Sequence, residues 1–378
     1  METCFDDLRP YDQTEVATAM QRIADSEYLP VVIAFIFPEK TTGEIRNTLL
    51  NIRTTDEFQS RIMYPFNQEI MRKSANAFTC DGLEHLDPAK RYLFISNHRD
   101  IMLDSALLQM LFYMHGFRTT EITFGSNLMH SQLVIDIGKS NKMFTVFRGG
   151  SPRDFYRNSM RLSEYIRHTV TQKKESVWIA QRNGRTKDGN DITDQGIIKM
   201  FCMSDSSDLP RSIHELHPVP VAVSYQIESC DILKTKELYL SRNGRKYVKQ
   251  PDEDLTSILT GITQPKGNIH ISICAPLREE ELRAIRYQSP NEFHKSVASL
   301  IDRRIYHGYK LHNNNYIAHD IRSGQDTYAA HYTSEEKAGF LARYEQMLQQ
   351  IQGDESVLRS IFLGIYANPV DNCEKNRP

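Results

Sequence analysis

The stretch Asn97-His98-Arg99-Asp100-Ile101-Met102-Leu103-Asp104-Ser105 carries the residue types that acid-base chemistry needs, directly after the apolar run Tyr92-Leu93-Phe94-Ile95. A strand that ends and a helix that begins leave a turn whose polar groups face a cleft at the carboxyl edge of a sheet. His98 is the candidate general base there, with Asp104 or Asp100 to orient it. Asn97 and Asp100 are short polar side chains suited to capping the following helix.

Two further turns have the same construction. Phe147-Arg148-Gly149-Gly150-Ser151 follows an apolar run; its glycines permit a sharp bend, and Arg148 offers a planar fork that fits phosphate. Ile179 and Ala180 lead into the basic turn Gln181-Arg182-Asn183-Gly184-Arg185-Thr186-Lys187. From Arg148 to Lys187 ten Lys or Arg stand against three Asp or Glu, in a chain whose net charge is −2. Such a local excess implies an anionic ligand, while the overall balance argues against nucleic acid as partner. The fourth stretch, Pro218-Val219-Pro220-Val221-Ala222-Val223-Ser224-Tyr225, reads as a short strand opened by prolines.

Other chemistries find no support. Gly138-Lys139-Ser140 looks like the end of a P-loop, but the first glycine of that pattern would fall on Leu133. There is no Gly-x-Ser-x-Gly, His-Glu-x-x-His or Gly-x-Gly-x-x-Gly. The six cysteines, at 4, 80, 202, 230, 274 and 373, include no Cys-x-x-Cys, so neither a zinc site nor a redox pair is expected and a reducing compartment is.

The elements that must position these turns follow from hydrophobic periodicity. Thr14 to Ala24, Ile45 to Ile52 and Asp56 to Ala77 have helical spacing. Short β-type runs follow at Arg91 to Ser96, Glu121 to Gly125, Met143 to Phe147, Ser176 to Ala180, Val219 to Tyr225 and Asn268 to Cys274. Asp104 to Met114 is apolar nearly all round, as a buried or lipid-touching helix is. Pro152 to Val170 carries Arg153, Arg157 and Arg161 on one face, a stripe able to meet anionic headgroups or water. Glu279 to Arg286, Asn291 to Arg304 and Ser334 to Gln352 are amphipathic helices, and Leu311 to Tyr332 reads as a loop.

The fold expected is α/β: a mixed, mostly parallel sheet flanked by helices, with an N-terminal helical region (1–85), an α/β domain (86–280) and a helical C-terminal region (281–378). With 378 residues, 40% hydrophobic and 25% charged, the chain is long enough for a substantial core. Leu29 to Pro38 is its strongest apolar run, far short of the roughly 20 residues of a spanning helix, and is expected to be buried, with a membrane-dipping segment as the alternative. The acidic start Met-Glu-Thr-Cys-Phe-Asp-Asp does not read as a secretory signal, and a cytoplasmic location is expected.

Taken in order, the four elements resemble the glycerophospholipid acyltransferase family, which includes glycerol-3-phosphate and lysophosphatidate acyltransferases. The resemblance covers about residues 90 to 226. It places the family's His and Asp on His98 and Asp104, its second-motif Arg on Arg148, its Gly-Arg motif on Gly184 and Arg185, and its Pro-bearing strand on Pro220. Five residues separate His98 from Asp104 where the family has four, and one step along a helix turns a side chain by about 100°. The family's Glu before Gly is replaced by Arg182 or Asn183.

The resemblance implies an O-acyltransferase that moves a fatty acyl group from acyl-CoA or acyl carrier protein to a hydroxyl of glycerol-3-phosphate or lysophosphatidate. His98 and Asp104 would be catalytic, Arg148, Gly184, Arg185 and Pro220 substrate-binding, with no metal and no cofactor beyond the acyl donor. Amides at the start of the helix after Asp100 are candidate oxyanion donors. Peripheral contact with the inner membrane face is expected of an enzyme with such substrates. An acceptor of another kind, such as an acylated amino acid, and a non-catalytic lipid-binding protein of the same fold are the alternatives.

Overall fold

The computed structural model describes residues 5–244, 247–250 and 252–376; Cys4 lies outside them. Seven strands form one sheet: β1 (Ala75–Asp81), β2 (Leu93–Ser96), β3 (Glu121–Gly125), β4 (Met143–Val146), β5 (Val177–Ala180), β6 (Pro218–Tyr225) and β7 (Gly267–Ile273). Their order is β1-β7-β6-β2-β5-β3-β4, and every pair is parallel except β6 with β7. This is the mixed, mostly parallel sheet flanked by helices that the alternation of apolar runs predicts.

Side chains alternate across a strand, and the central strands feed two cores. Leu93, Ile95, Val177 and Ile179 pack on one face with the helices Pro152–His168, Gln195–Cys202 and Pro290–Gly308. Phe94, Trp178, Val221 and Val223 pack on the other with the helix Leu103–Met114, whose residues 103–112 are all buried. That helix is therefore a buried one. Separate clusters hold the N-terminal helices, around Met20 and Leu49, and the C-terminal helices, around Phe340 and Phe362.

Prolines at 218 and 220 are unusual in a strand with neighbours on both sides. The ladder with β7 begins only at Val221 opposite Ile273. The missing proline N–H groups thus lie where β7 has ended, and the carbonyls still accept, from Leu277 N (2.9 Å) and Cys274 N (3.0 Å).

Three expectations are corrected. The helix read from Asp56 to Ala77 ends at Ser74, and Ala75–Asp81 is a strand on the sheet edge, so the sheet begins before residue 86. Leu29–Ile36 is helical but not buried: only Leu29, Ile33 and Ile36 turn inward, and Val31, Val32 and Phe35 are exposed. Asn313–Ser323, within the stretch read as a loop, is a helix against Glu355–Lys375, a 21-residue helix that no periodicity announced and that contains Pro369. The arginine stripe is tied down in part, Arg157 on Asp154 (2.9 Å) and Arg161 on Asp7 (2.6 Å). Among the described residues no helix is long and apolar enough to cross a membrane.

Candidate active site

β2 stops at Ser96 and the next helix starts at Leu103, leaving Asn97 to Met102 as a turn. The Asn97 amide continues the strand, accepting from Val223 N (2.7 Å) and donating to Val223 O (3.0 Å) and Asp191 Oδ2 (3.0 Å). It is therefore not a cap. Asp100 is: its Oδ1 accepts from Met102 N (2.9 Å) and Leu103 N (2.8 Å), while Oδ2 accepts from the Ser229 hydroxyl.

The turn absorbs the extra residue between His98 and Asp104, so Asp104, second in the helix, reaches the ring. Its Oδ2 accepts from His98 Nδ1 (2.9 Å), Arg99 N (2.6 Å) and Asp100 N (2.9 Å), and its Oδ1 from the Tyr225 hydroxyl (2.8 Å). Four donors and full burial are the surroundings of an ionised carboxylate, which only accepts. A donating Nδ1 leaves Nε2 as the basic nitrogen of the neutral ring. The ring meets Trp178 edge to face at 5.9 Å, and the His98 side chain keeps partial access to solvent.

Tyr225, from the end of β6, has no counterpart in the sequence reading. Burial first, then the Asp104 carboxylate, pushes its phenol well above the ordinary value, so it stays a donor. Tyr225→Phe is expected to cost about 1.5–3 kcal/mol, the range for a hydrogen bond to a charged group, in chemical denaturation. Unchanged stability would show that the bond contributes nothing.

Arg99 does not face the cleft. It is fully buried, with Nη2 on Asp191 (2.6 Å) and Nη1 on Glu228 (3.1 Å). Burial alone would lower its pKa, but the Asp191 and Glu228 carboxylates outweigh it and hold the value well above the ordinary one. Lys234 completes the network, donating to Arg99 O (2.7 Å) and Glu228 Oε1 (2.5 Å). The C-terminal helices brace it: Tyr366 donates to Asp231 (2.6 Å), which also pairs with Arg343.

The loop after β5 brings the basic residues to this turn, for Thr186 N donates to His98 O (2.7 Å). Gly184 has φ +79°, a conformation that favours glycine, and a Cβ there would meet open space. Its positive φ bends the chain here, and the space beside it is open. Arg185 is 9% exposed and makes no ion pair among the described residues. Its Nη2 donates to Ser257 Oγ (3.1 Å), and its buried Nη1 has no partner among the described residues. An uncompensated buried cation is costly, and an incoming anion would relieve it.

Arg148 packs against Gly125 and donates to the Asn183 side-chain oxygen. Asn183 is neutral, so this contact does not offset the charge of Arg148. Partial desolvation lowers the Arg148 pKa, with Asp254 opposing, although the residue is exposed at the surface. Pro220 lies elsewhere, buried within the sheet beside Ile95 and short of the carboxyl edge. Of the amides around the start of the helix Leu103–Met114, those of Arg99, Asp100, Met102 and Leu103 are taken by the Asp100 and Asp104 carboxylates.

A helix over the site was not foreseen. This roof helix, Glu253–Thr263, supplies Ser257 to Arg185 and sets Gly261 against Asp100. A Cβ at Gly261 would fall 2.3 Å from Asp100 Oδ2, so any side chain there would push the roof away.

No family profile matches the chain, and no curated protein matches it significantly. Among solved structures, it is similar to the crystal structure of the 1-acyl-sn-glycerophosphate (LPA) acyltransferase PlsC from Thermotoga maritima. Identity is 13%, 78% of this chain and 95% of that one are covered, and the TM-score is 0.37. A likeness at that level carries no argument about activity.

Proposed function

We propose that the chain is an O-acyltransferase that transfers an acyl group from a thioester donor, acyl-CoA or acyl carrier protein, to a hydroxyl of an anionic acceptor such as glycerol-3-phosphate or lysophosphatidate. The observation that carries this reading is His98, reachable from solvent and held by the buried Asp104, beside a loop whose Arg185 has a buried guanidinium nitrogen with no partner among the described residues. The first is a positioned base, the second a waiting anion site.

In this mechanism His98 Nε2 takes the acceptor's hydroxyl proton as its oxygen attacks the thioester carbonyl. Asp104 holds the ring and stabilises the imidazolium. Collapse of the tetrahedral intermediate forms the ester, breaks the C–S bond and returns the proton to the thiolate. Arg185, with Arg148 at the rim, fixes the acceptor's anionic group so that its hydroxyl meets His98. Asn183 near the family's Glu position favours testing a second acceptor class, acylated amino acids.

The test is incubation of the full chain with labelled acyl-CoA or acyl carrier protein and a panel of acceptors: glycerol-3-phosphate, lysophosphatidate, acylated amino acids and neutral alcohols. Transfer confined to anionic acceptors is expected. Transfer to none, or equal transfer to neutral alcohols, would overturn the reading; lipid binding without transfer would favour a non-catalytic protein of this fold.

A further inference from the structure

Acyl transfer at His98 needs a donor for the oxyanion that forms as the thioester carbonyl is attacked. The polar groups of the turn are engaged elsewhere. Amides of Arg99, Asp100, Met102 and Leu103 serve the Asp100 and Asp104 carboxylates, and Thr186 N serves His98 O. The Asn97 side chain continues the strand, Tyr225 donates to Asp104, Ser229 to Asp100 and Ser105 to Met102 O (3.3 Å).

A donor on the wall of the site has no such partner. Trp178, the single tryptophan of the chain, is the second residue of β5 and pairs with Phe94 of β2, both turned to the core under the helix Leu103–Met114. From there its ring meets that of His98 edge to face, with 76° between the planes. Trp178 is 3% exposed, and its indole Nε1 is buried with no hydrogen-bond partner among the described residues. Buried tryptophan N–H groups usually find an acceptor, and one left without it costs stability. The fold thus keeps an unengaged donor beside its base.

Two more side chains of this segment, Gln181 and Thr186, hold buried polar atoms without partners. Gln181 lies toward the other core: its Oε1 accepts from Thr193, whose amide donates to Asp302 of the helix Pro290–Gly308. The Thr186 hydroxyl follows Arg185 and both donates and accepts. The indole N–H only donates, which suits a partner that only accepts.

We propose that the Trp178 indole N–H is an oxyanion donor, bonding the thioester carbonyl oxygen as it gains charge. This role rests on the acyl-transfer reading. As His98 takes the hydroxyl proton and the acceptor oxygen bonds the carbonyl carbon, the π pair moves onto the carbonyl oxygen. When the C–S bond breaks, that pair re-forms C=O and the thiolate takes the proton from the imidazolium. The carbonyl carbon stands one bond beyond the oxygen that His98 deprotonates, so the oxyanion forms close to the imidazole, in the zone that the Trp178 ring borders. A buried donor acts there at low dielectric and without reorganisation. Being neutral, it also stabilises the oxyanion without lowering the basicity of His98, as a cation in its place would.

The test removes the N–H and keeps the ring. Trp178 is replaced in the full chain by 3-benzothienylalanine, in which sulfur takes the place of the N–H, and transfer from palmitoyl-CoA is measured beside wild type. The kcat should fall about 10²- to 10³-fold, with the acceptor KM unchanged. The melting temperature should not fall, since the replacement removes an unpartnered donor. An isostere with wild-type kcat would overturn the proposal. So would a comparable loss in Thr186→Val but not in the isostere, which would move the role to that hydroxyl. The contact can also be read without turnover, because a single tryptophan gives a single indole proton–nitrogen resonance. Saturating palmitoyl-CoA should move that resonance downfield in the His98→Ala protein, and an unmoved resonance would overturn the proposal. Wild type that transfers to no acceptor would count against the acyl-transfer reading, and the indole resonance would then decide by itself whether Trp178 meets the thioester.

Discussion

His98→Ala is expected to lower kcat for the proposed acyl transfer by about 10² to 10⁴, the range for loss of a positioned general base, with little change in the KM of the acceptor. The split follows from geometry. His98 Nδ1 is engaged by Asp104, so the nitrogen available to substrate is Nε2, and a base acts on the transition state more than on the bound ground state. Removal of the ring leaves Asp104 with three donors, Arg99 N, Asp100 N and Tyr225, so the carboxylate stays satisfied and the turn keeps its shape. The variant is expected to fold, as circular dichroism and thermal unfolding would show. Residual transfer should keep its preference for anionic acceptors, because Arg185 is untouched. A folded His98→Ala protein with at least half the wild-type turnover would remove His98 from the mechanism.

The strands were legible in the sequence for a physical reason. Buried parallel strands are short continuous apolar runs, and Leu93-Phe94-Ile95 and Val177-Trp178-Ile179 are distinct from the polar turns that follow them. Edge strand β1, Ala75-Asn-Ala-Phe-Thr-Cys-Asp, is half exposed and follows a helix without a break, so its pattern merges with the helical one. Leu29–Ile36 was misread for a related reason: an apolar run announces burial only if the fold has an interior place for it. At the site, local sequence supplied His98 and two carboxylates but not the direction of each side chain. Asp104 and Asp100 were separated only by the length of the turn. Arg99, between them, points to a buried network with Asp191 and Glu228 that no local pattern announces. Tyr225 and Ser257 reach the site from 121 and 72 residues away from their partners, and only the folded chain brings them there. A polar residue closing an apolar run, as Tyr225 closes β6, was the one signal available for it.

Arg185 gives a test in which activity and stability move in opposite directions. In the folded chain its guanidinium is buried beside Ser257, with Nη1 unpaired and no carboxylate within 4.0 Å among the described residues. Such a group is held against the desolvation cost of a charge, and a structural role would have given it an anion, as Asp191 and Glu228 serve Arg99. Replacing Arg185 by Met, apolar and of similar reach, removes that cost at the loss of one bond to a hydroxyl. The variant should therefore unfold at an equal or higher denaturant concentration than wild type. Acceptor binding should suffer, since a charge-assisted hydrogen bond is worth about 1.5–3 kcal/mol, or roughly 10- to 150-fold in the KM of an anionic acceptor. Arg185→Lys keeps the charge but not the planar fork and should fall between the two. Hydrolysis of the thioester in the absence of acceptor should not change, because in the proposed mechanism Arg185 holds the acceptor. A less stable Arg185→Met protein with wild-type acceptor KM would identify Arg185 as a structural residue, and the anion would have to be held elsewhere.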